Sequence, residues 1–95
     1  MLFVALLKIK PQATFQEGGA RRLQWSPPEG MNVVAEYWLE TGSPRVIAIV
    51  DAESMAPFGQ LRMEWGDLFE IDVYPAITAE QGMEMLKQAM SEQQA

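Results

Sequence analysis

The sequence contains no cysteine and no histidine. Without cysteine there is no disulfide, no thiolate metal site and no cysteine nucleophile. Without histidine the chain lacks the usual general base at neutral pH and the commonest ligand of haem and zinc. A serine nucleophile is disfavoured for the same reason, and no Ser-x-x-Lys motif replaces the missing base. Carboxylates are therefore the main candidates for acid–base chemistry.

Basic residues and long apolar runs are also scarce. Seven Lys and Arg stand against 13 Asp and Glu, a net charge of −6, which argues against a nucleic-acid partner because phosphate binding needs clustered cations. No segment approaches the roughly 20 apolar residues that span a bilayer. The apolar start, residues 1–7, lacks a basic leader and a small-residue cleavage site. We expect a cytoplasmic protein with neither a membrane partner nor a cofactor.

The apolar start is the most informative segment that is present. As a strand, residues 2–9 would direct apolar side chains to both faces of a sheet, so both faces need a cover. The length of 95 residues suits a single domain, here residues 1–90, followed by a polar tail, 91–95, that is expected to fray. Such a small domain has enough helix to cover one face, and a partner or ligand must cover the other.

Periodicity and turn signals predict seven elements in the order β-α-β-β-α-β-α. Capping-box patterns at Thr14–Glu17 and Thr78–Gln81 mark two helix starts. This order predicts an α+β fold, the ferredoxin-like βαββαβ with an extra C-terminal helix, in which a four-stranded antiparallel sheet carries helices on one face. The predicted strands are 2–9, 32–40, 45–51 and 69–74, the last closed by Pro75, and the predicted helices are 15–25, 54–66 and one from residue 79.

Two glycines, Gly18 and Gly19, interrupt the first predicted helix. Each costs up to about 1 kcal/mol relative to alanine. We expect them to let this helix lie close to the sheet. A mobile or anion-binding segment is the alternative, for which Gly-Gly-Ala-Arg-Arg is a weak pattern.

Regular alternation along the strands predicts which side chains lie on the open face, the sheet face without helices. Phe3, Ala5, Leu7 and Ile9 would meet the helices, whereas the third strand is ambiguous because both its faces are apolar. A face with this many aliphatic side chains is not stable in water, which favours a homodimer that packs sheet against sheet. The residues assigned to the open face are Leu2, Val4, Leu6, Lys8, Val34, Glu36, Trp38, Glu40, Glu70, Asp72 and Tyr74.

Three segments, residues 1–8, 35–39 and 70–76, resemble an uncharacterised family of bacterial and archaeal proteins of about this length, a domain of unknown function. Such proteins are similar in layout to the dimeric α+β barrels, in which two sheets close face to face around a cavity. That superfamily includes cofactor-free monooxygenases, haem-degrading and haem-dependent enzymes, muconolactone-type isomerases and effector-binding domains. The resemblance implies a fold and does not select among these functions. The lack of histidine departs from the haem-binding members.

Three functions remain open from the sequence. The first is a non-catalytic protein that binds a small apolar or aromatic molecule at the sheet face. The second is a cofactor-independent enzyme with Glu36 or Asp72 as base, since burial raises carboxyl pKa values. The third is a structural dimerisation module. Arg45 is expected to pair with Glu40 or with a ligand carboxylate. No residue is assigned as catalytic or as a metal ligand, and the predicted ligand-binding residues are Leu6, Lys8, Glu36, Trp38, Asp72 and Tyr74.

Overall fold

A computed structural model describes residues 1–94 and confirms the predicted order of elements. The second strand ends two residues before the predicted Glu40, and the fourth strand continues through Pro75 to Ala76. The elements are β1 (Leu2–Ile9), α1 (Phe15–Gln24), β2 (Asn32–Trp38), β3 (Val46–Asp51), α2 (Ala56–Trp65), β4 (Phe69–Ala76) and α3 (Ala79–Gln94).

The four strands form one antiparallel sheet in the order β2-β3-β1-β4. β1 is therefore central, and β2 and β4 are the edges. The edge position explains why Pro75 does not end β4, because a proline in an edge strand can direct its missing amide donor away from the ladder. Together with the two helices that follow β1 and β3, this is the ferredoxin-like α+β fold with an added C-terminal helix.

Helices α1 and α2 both pack on the same side of the sheet, which we call the helix face. Phe58 of α2 lies edge-on to Phe3 of β1, with ring centroids 5.2 Å apart. Trp65 of α2 contacts both Trp25, after α1, and Phe69 of β4. The predicted inward side chains of β1 are confirmed, since Phe3, Ala5 and Leu7 are buried and Ile9 packs against the core. Phe69 and Ile71 of β4 are buried on the same face.

Local sequence signals account for the helix starts. The Thr14 hydroxyl accepts a hydrogen bond from the Glu17 amide at 3.2 Å, as an N-cap does. The second capping box is complete: Gln81 donates its amide to Thr78 Oγ1 at 3.1 Å and accepts the Thr78 amide at 2.9 Å.

The alternation of β2 is interrupted by a β-bulge between Val33 and Ala35. Val33 pairs with Val50, but beyond the bulge Glu36 pairs with Ala48 and Trp38 with Val46. Directly opposed residues of antiparallel strands lie on the same face. Val50, Ala48 and Val46 pair in turn with Phe3, Ala5 and Leu7, which face the helices. The prediction that Glu36 and Trp38 lie on the open face is therefore wrong.

The same register settles the ambiguity in β3. Val46, Ala48 and Val50 belong to the helix face, and Ile47 and Ile49 to the open face. Tyr37, which lies between Glu36 and Trp38, joins Ile47 on the open face. The extra residue of a bulge reverses the side-chain alternation of everything that follows it in the strand.

The C-terminal helix α3 projects away from the rest of the molecule. The molecule extends 57 Å along its longest axis and 28 and 17 Å along the other two. The radius of gyration is 16.5 Å, whereas a compact domain of this length has about 12 Å. Met83, Leu86 and Met90 on α3 are all exposed, so its apolar stripe has no partner within the described chain.

α3 includes most of the segment 91–95 for which fraying is predicted, and that fraying remains a prediction; Ala95 lies outside the described residues. Within residues 1–94, none of the helices has the length and apolar composition that a membrane crossing requires.

Candidate functional site

The six predicted ligand-binding residues do not come together in one place. Leu6, Lys8, Asp72 and Tyr74 share the open face, as predicted. The remaining two, Glu36 and Trp38, contact α1 on the opposite side of the sheet. These residues thus lie on two separate surfaces, the open face and a pocket beneath α1.

The centre of the open face is apolar. One cross-strand row contains Val4, with Ile49 on one side and Tyr74 on the other. The next row contains Leu6 and Ile47. Both tyrosines of the chain lie on this face with more than half of their surface exposed, Tyr37 at 59% and Tyr74 at 52%.

A polar corner lies beside this apolar centre, where β1 runs next to β4. Lys8 Nζ is 3.4 Å from the Asp72 carboxylate. Asp72 is directly opposite Leu6, and the exposed Glu70 is opposite Lys8. The open face thus combines aliphatic side chains with an ion pair and a phenol, all accessible in the single chain.

The second surface is a cavity of about 70 Å³ between α1 and the helix face, which we call the α1 pocket. Small residues create it. Ala5 and Ala48 are directly opposed in the sheet, and Gly18 and Gly19 line the pocket from α1. A Cβ atom on Gly18 would lie 3.5 Å from the Phe69 ring, whereas one on Gly19 would have no neighbour within 4 Å. The contact at Gly18 would be an ordinary van der Waals contact, so a close approach that requires glycine is not found at either position, and Gly19 leaves space.

Three side chains surround the outer part of the α1 pocket. Phe15, the first residue of α1, is edge-on to Trp38 with ring centroids 5.6 Å apart. The Arg45 guanidinium carbon lies 4.2 Å from the centroid of the same Phe15 ring, a cation–π contact. Arg45 Nε is buried without a hydrogen-bond partner in the structure.

Glu36 is one of the residues around the α1 pocket. Its carboxylate accepts hydrogen bonds from Arg22 Nη2 at 3.0 Å and from Trp38 Nε1 at 2.6 Å. Burial alone would raise the Glu36 pKa, but these hydrogen bonds and the Arg22 charge outweigh it, so the pKa lies below its ordinary value of 4.5. A carboxylate with a lowered pKa is a weaker base, so the geometry does not favour Glu36 as the base of the enzyme hypothesis.

Sequence reasoning missed the α1 pocket because its lining comes from six helices and strands and depends on the bulge. One signal was available: small residues at Ala5, Gly19 and Ala48 mark a thin layer of the core. These small residues indicate a pocket only together with the register of β1 and β3, which places Ala5 opposite Ala48. The expected Arg45–Glu40 ion pair is not formed among residues 1–94.

The fold places the chain among ferredoxin-like α+β domains. Residues 1–90 match the family described as Domain of unknown function (DUF3303), and the chain belongs to that family. No curated protein and no solved structure shows significant similarity to it. Across the described chain, no three acidic side chains are grouped so that they could hold a metal ion.

Proposed function

We propose that this protein is a non-catalytic homodimer that joins through the open face and binds a small apolar or aromatic molecule between the two sheets. The observation that carries the proposal is the uncovered apolar centre formed by Val4, Leu6, Ile47 and Ile49 on a sheet whose other face is covered by α1 and α2. A patch of this kind on a small domain is typical of an interaction surface. A second copy is an occupant of matching character, because the same apolar patch faces itself across a two-fold axis.

Burial of the open face alone would not stabilise a dimer, because the free energy gained is similar to the cost of association. Five aliphatic side chains on each protomer are already partly covered, so each adds about 1 kcal/mol on full burial, or about 10 kcal/mol for the dimer. Association costs are of the same order. The exposed stripe of α3 supplies a second apolar surface, and we propose that α3 packs against the partner. These five side chains are Leu2, Val4, Leu6, Ile47 and Ile49.

The polar corner supports the ligand part of the proposal. Lys8 and Asp72 pair with each other in the single chain, and Tyr74 presents a hydroxyl beside them. An apolar cavity with a few polar groups is the usual construction of a small-molecule site. The proposed ligand therefore has a flat or aliphatic body and at least one hydrogen-bonding group, with Leu6, Lys8, Asp72 and Tyr74 as its contacts.

Light scattering coupled to size-exclusion chromatography tests the dimer. We expect a dimer for the natural sequence and a monomer for Leu6→Lys, which puts a charge into the interface of both subunits. Leu23→Lys makes the same change at a residue that is 88% exposed on α1 and should remain dimeric. A natural chain that is monomeric at all concentrations contradicts the proposal, as does a dimeric Leu6→Lys variant.

A crystal structure of the dimer tests the ligand. We expect a cavity of at least about 300 Å³ between the sheets, the lower range for small-molecule sites, next to Lys8 and Tyr74. A dimer whose interface is filled contradicts ligand binding and supports the structural module.

A further inference from the structure

The C-terminal helix α3 supports an inference that rests on the proposed homodimer and deepens it. We propose that α3 pairs, in antiparallel orientation, with α3 of the partner subunit. Three features of the helix favour this pairing: the spacing of its apolar residues, the sizes of their side chains and the positions of two charges beside them.

The apolar stripe of α3 is narrow. Its members are spaced four, three and four residues apart, which places them at the a and d positions of a heptad repeat. A stripe limited to these positions is typical of a helix that packs against one other helix, whereas a helix that faces a domain core has a wider apolar stripe. The stripe consists of Ala79, Met83, Leu86 and Met90, all of them exposed.

The sizes of the side chains along the stripe favour antiparallel helices. In this orientation the start of one stripe meets the end of the other. Ala79 then lies opposite Met90 of the partner subunit, so the smallest side chain of the stripe faces a long one, which suits close packing. A parallel pair would place the two alanines opposite each other and leave a gap between them.

Two charges beside the stripe favour the same orientation. Glu80 and Lys87 each follow a d position, so both occupy e positions on one side of the stripe. Neither forms an ion pair within the part of the chain that the structure describes. In an antiparallel pair the e positions of the two helices are neighbours, which brings Glu80 beside Lys87 of the partner subunit. The two-fold axis repeats this contact. A parallel pair would instead bring Lys87 beside Gly82 of the partner subunit, which has no charge.

A second copy is also the occupant that the homodimer requires. The open face gains about as much free energy as association costs, so the same two chains need a further contact. Only Ile77 and Thr78 separate β4 from α3. Because the stripe is exposed, packing of the apolar side of α3 does not fix its direction relative to the sheet. The helix can therefore align with α3 of the partner subunit when the dimer forms.

Sedimentation equilibrium at low ionic strength, where exposed ion pairs are least screened, tests the pairing through charge reversals. Glu80→Lys should raise the dissociation constant of the dimer about tenfold, because both ion pairs become pairs of like charge. Lys87→Glu should have the same effect for the same reason. Glu84→Lys is the matched control: it makes the same chemical change on α3 at a b position, away from the partner, and should leave the dissociation constant nearly unchanged.

An equimolar mixture of Glu80→Lys and Lys87→Glu identifies the contact. In the mixed dimer a helix with two positive e positions meets a helix with two negative ones, so the mixture should dimerise at least as tightly as the natural chain. Overall charge does not explain such a rescue, because both variants keep a net negative charge. If the natural chain is dimeric and the mixture is no tighter than either variant alone, the antiparallel pairing is wrong and the homodimer stands. A natural chain that is monomeric at all concentrations overturns the homodimer and the pairing together.

Discussion

The ion pair between Arg22 and Glu36 allows the most direct test of the bulged register of β2. The Arg22 guanidinium donates to the Glu36 carboxylate from Nη2 at 3.0 Å and from Nε at 3.2 Å. This contact joins α1 to β2 and exists only because Glu36 lies on the helix face. If β2 alternated regularly, Glu36 would lie on the other side of the sheet, away from Arg22.

The size of the interaction follows from its partial burial. Exposed ion pairs contribute about 0–1 kcal/mol, and hydrogen bonds to charged groups about 1.5–3 kcal/mol. The side chains of Arg22 and Glu36 are 33% and 19% exposed, between these two cases. We expect a coupling free energy of about 1–2 kcal/mol.

Urea denaturation followed by tryptophan fluorescence measures this coupling in a double-mutant cycle of Glu36→Gln and Arg22→Met at fixed protein concentration. Arg22→Met keeps most of the aliphatic stem. Glu70→Gln is the control, since it makes the same chemical change at an exposed position of β4, and we expect it to be nearly neutral. A coupling below about 0.3 kcal/mol, within the error of additivity, would refute the placement of Glu36 against α1.

The same pair predicts a pH dependence. Because the Glu36 pKa is lowered in the folded chain, its contribution to stability is present above the ordinary value of 4.5 and is lost as the pH falls through the lowered pKa. The natural chain should therefore lose stability more steeply below pH 4.5 than Glu36→Gln. Parallel curves would contradict the lowered pKa.

Two further predictions concern stability and local charge. Gly30 has φ +87°, so Gly30→Ala should lower the free energy of unfolding by about 1–2 kcal/mol. Gly59→Ala, in an open position of α2, should raise the free energy of unfolding by up to about 1 kcal/mol. Urea denaturation measures both variants. If Gly30→Ala and Gly59→Ala change stability in the same direction, the role given to the Gly30 backbone conformation is wrong. Hydrogen bonds from Arg21 lower the Asp67 pKa to about 2, so the stability from this pair is lost as the pH falls from 3.8 toward 2. NMR titration of Arg21→Gln should return the Asp67 pKa toward 3.8, and an unchanged value contradicts the pairing.

Much of the fold was predictable because its signals are local. The Thr78–Gln81 capping box begins α3 where predicted, and buried side chains alternate with more exposed ones along β1 and the first half of β4. The order of strands and helices followed from these elements. Regular alternation also placed Leu6, Lys8, Asp72 and Tyr74 on the open face correctly.

The bulge in β2 was not predictable, because no glycine or proline marks it between Asn32 and Trp38. Both alternating sets of this strand mix apolar and polar residues, so neither register has a clear advantage from hydrophobicity alone. The side chains that select the register, Arg22 and Phe15, come from α1 and act through tertiary contacts with Glu36 and Trp38.

By itself, the sequence determined the element order, the ferredoxin-like class and a first strand that is apolar on both faces, because these depend on propensity, capping and periodicity within short segments. Only the tertiary structure decided that Glu36 and Trp38 face α1, that small residues from separate strands and a helix leave a pocket with Arg45 beside it, and that α3 extends away from the domain. Those features depend on register and on contacts between distant segments. A single strand's pattern carries no information about which neighbour lies across from it.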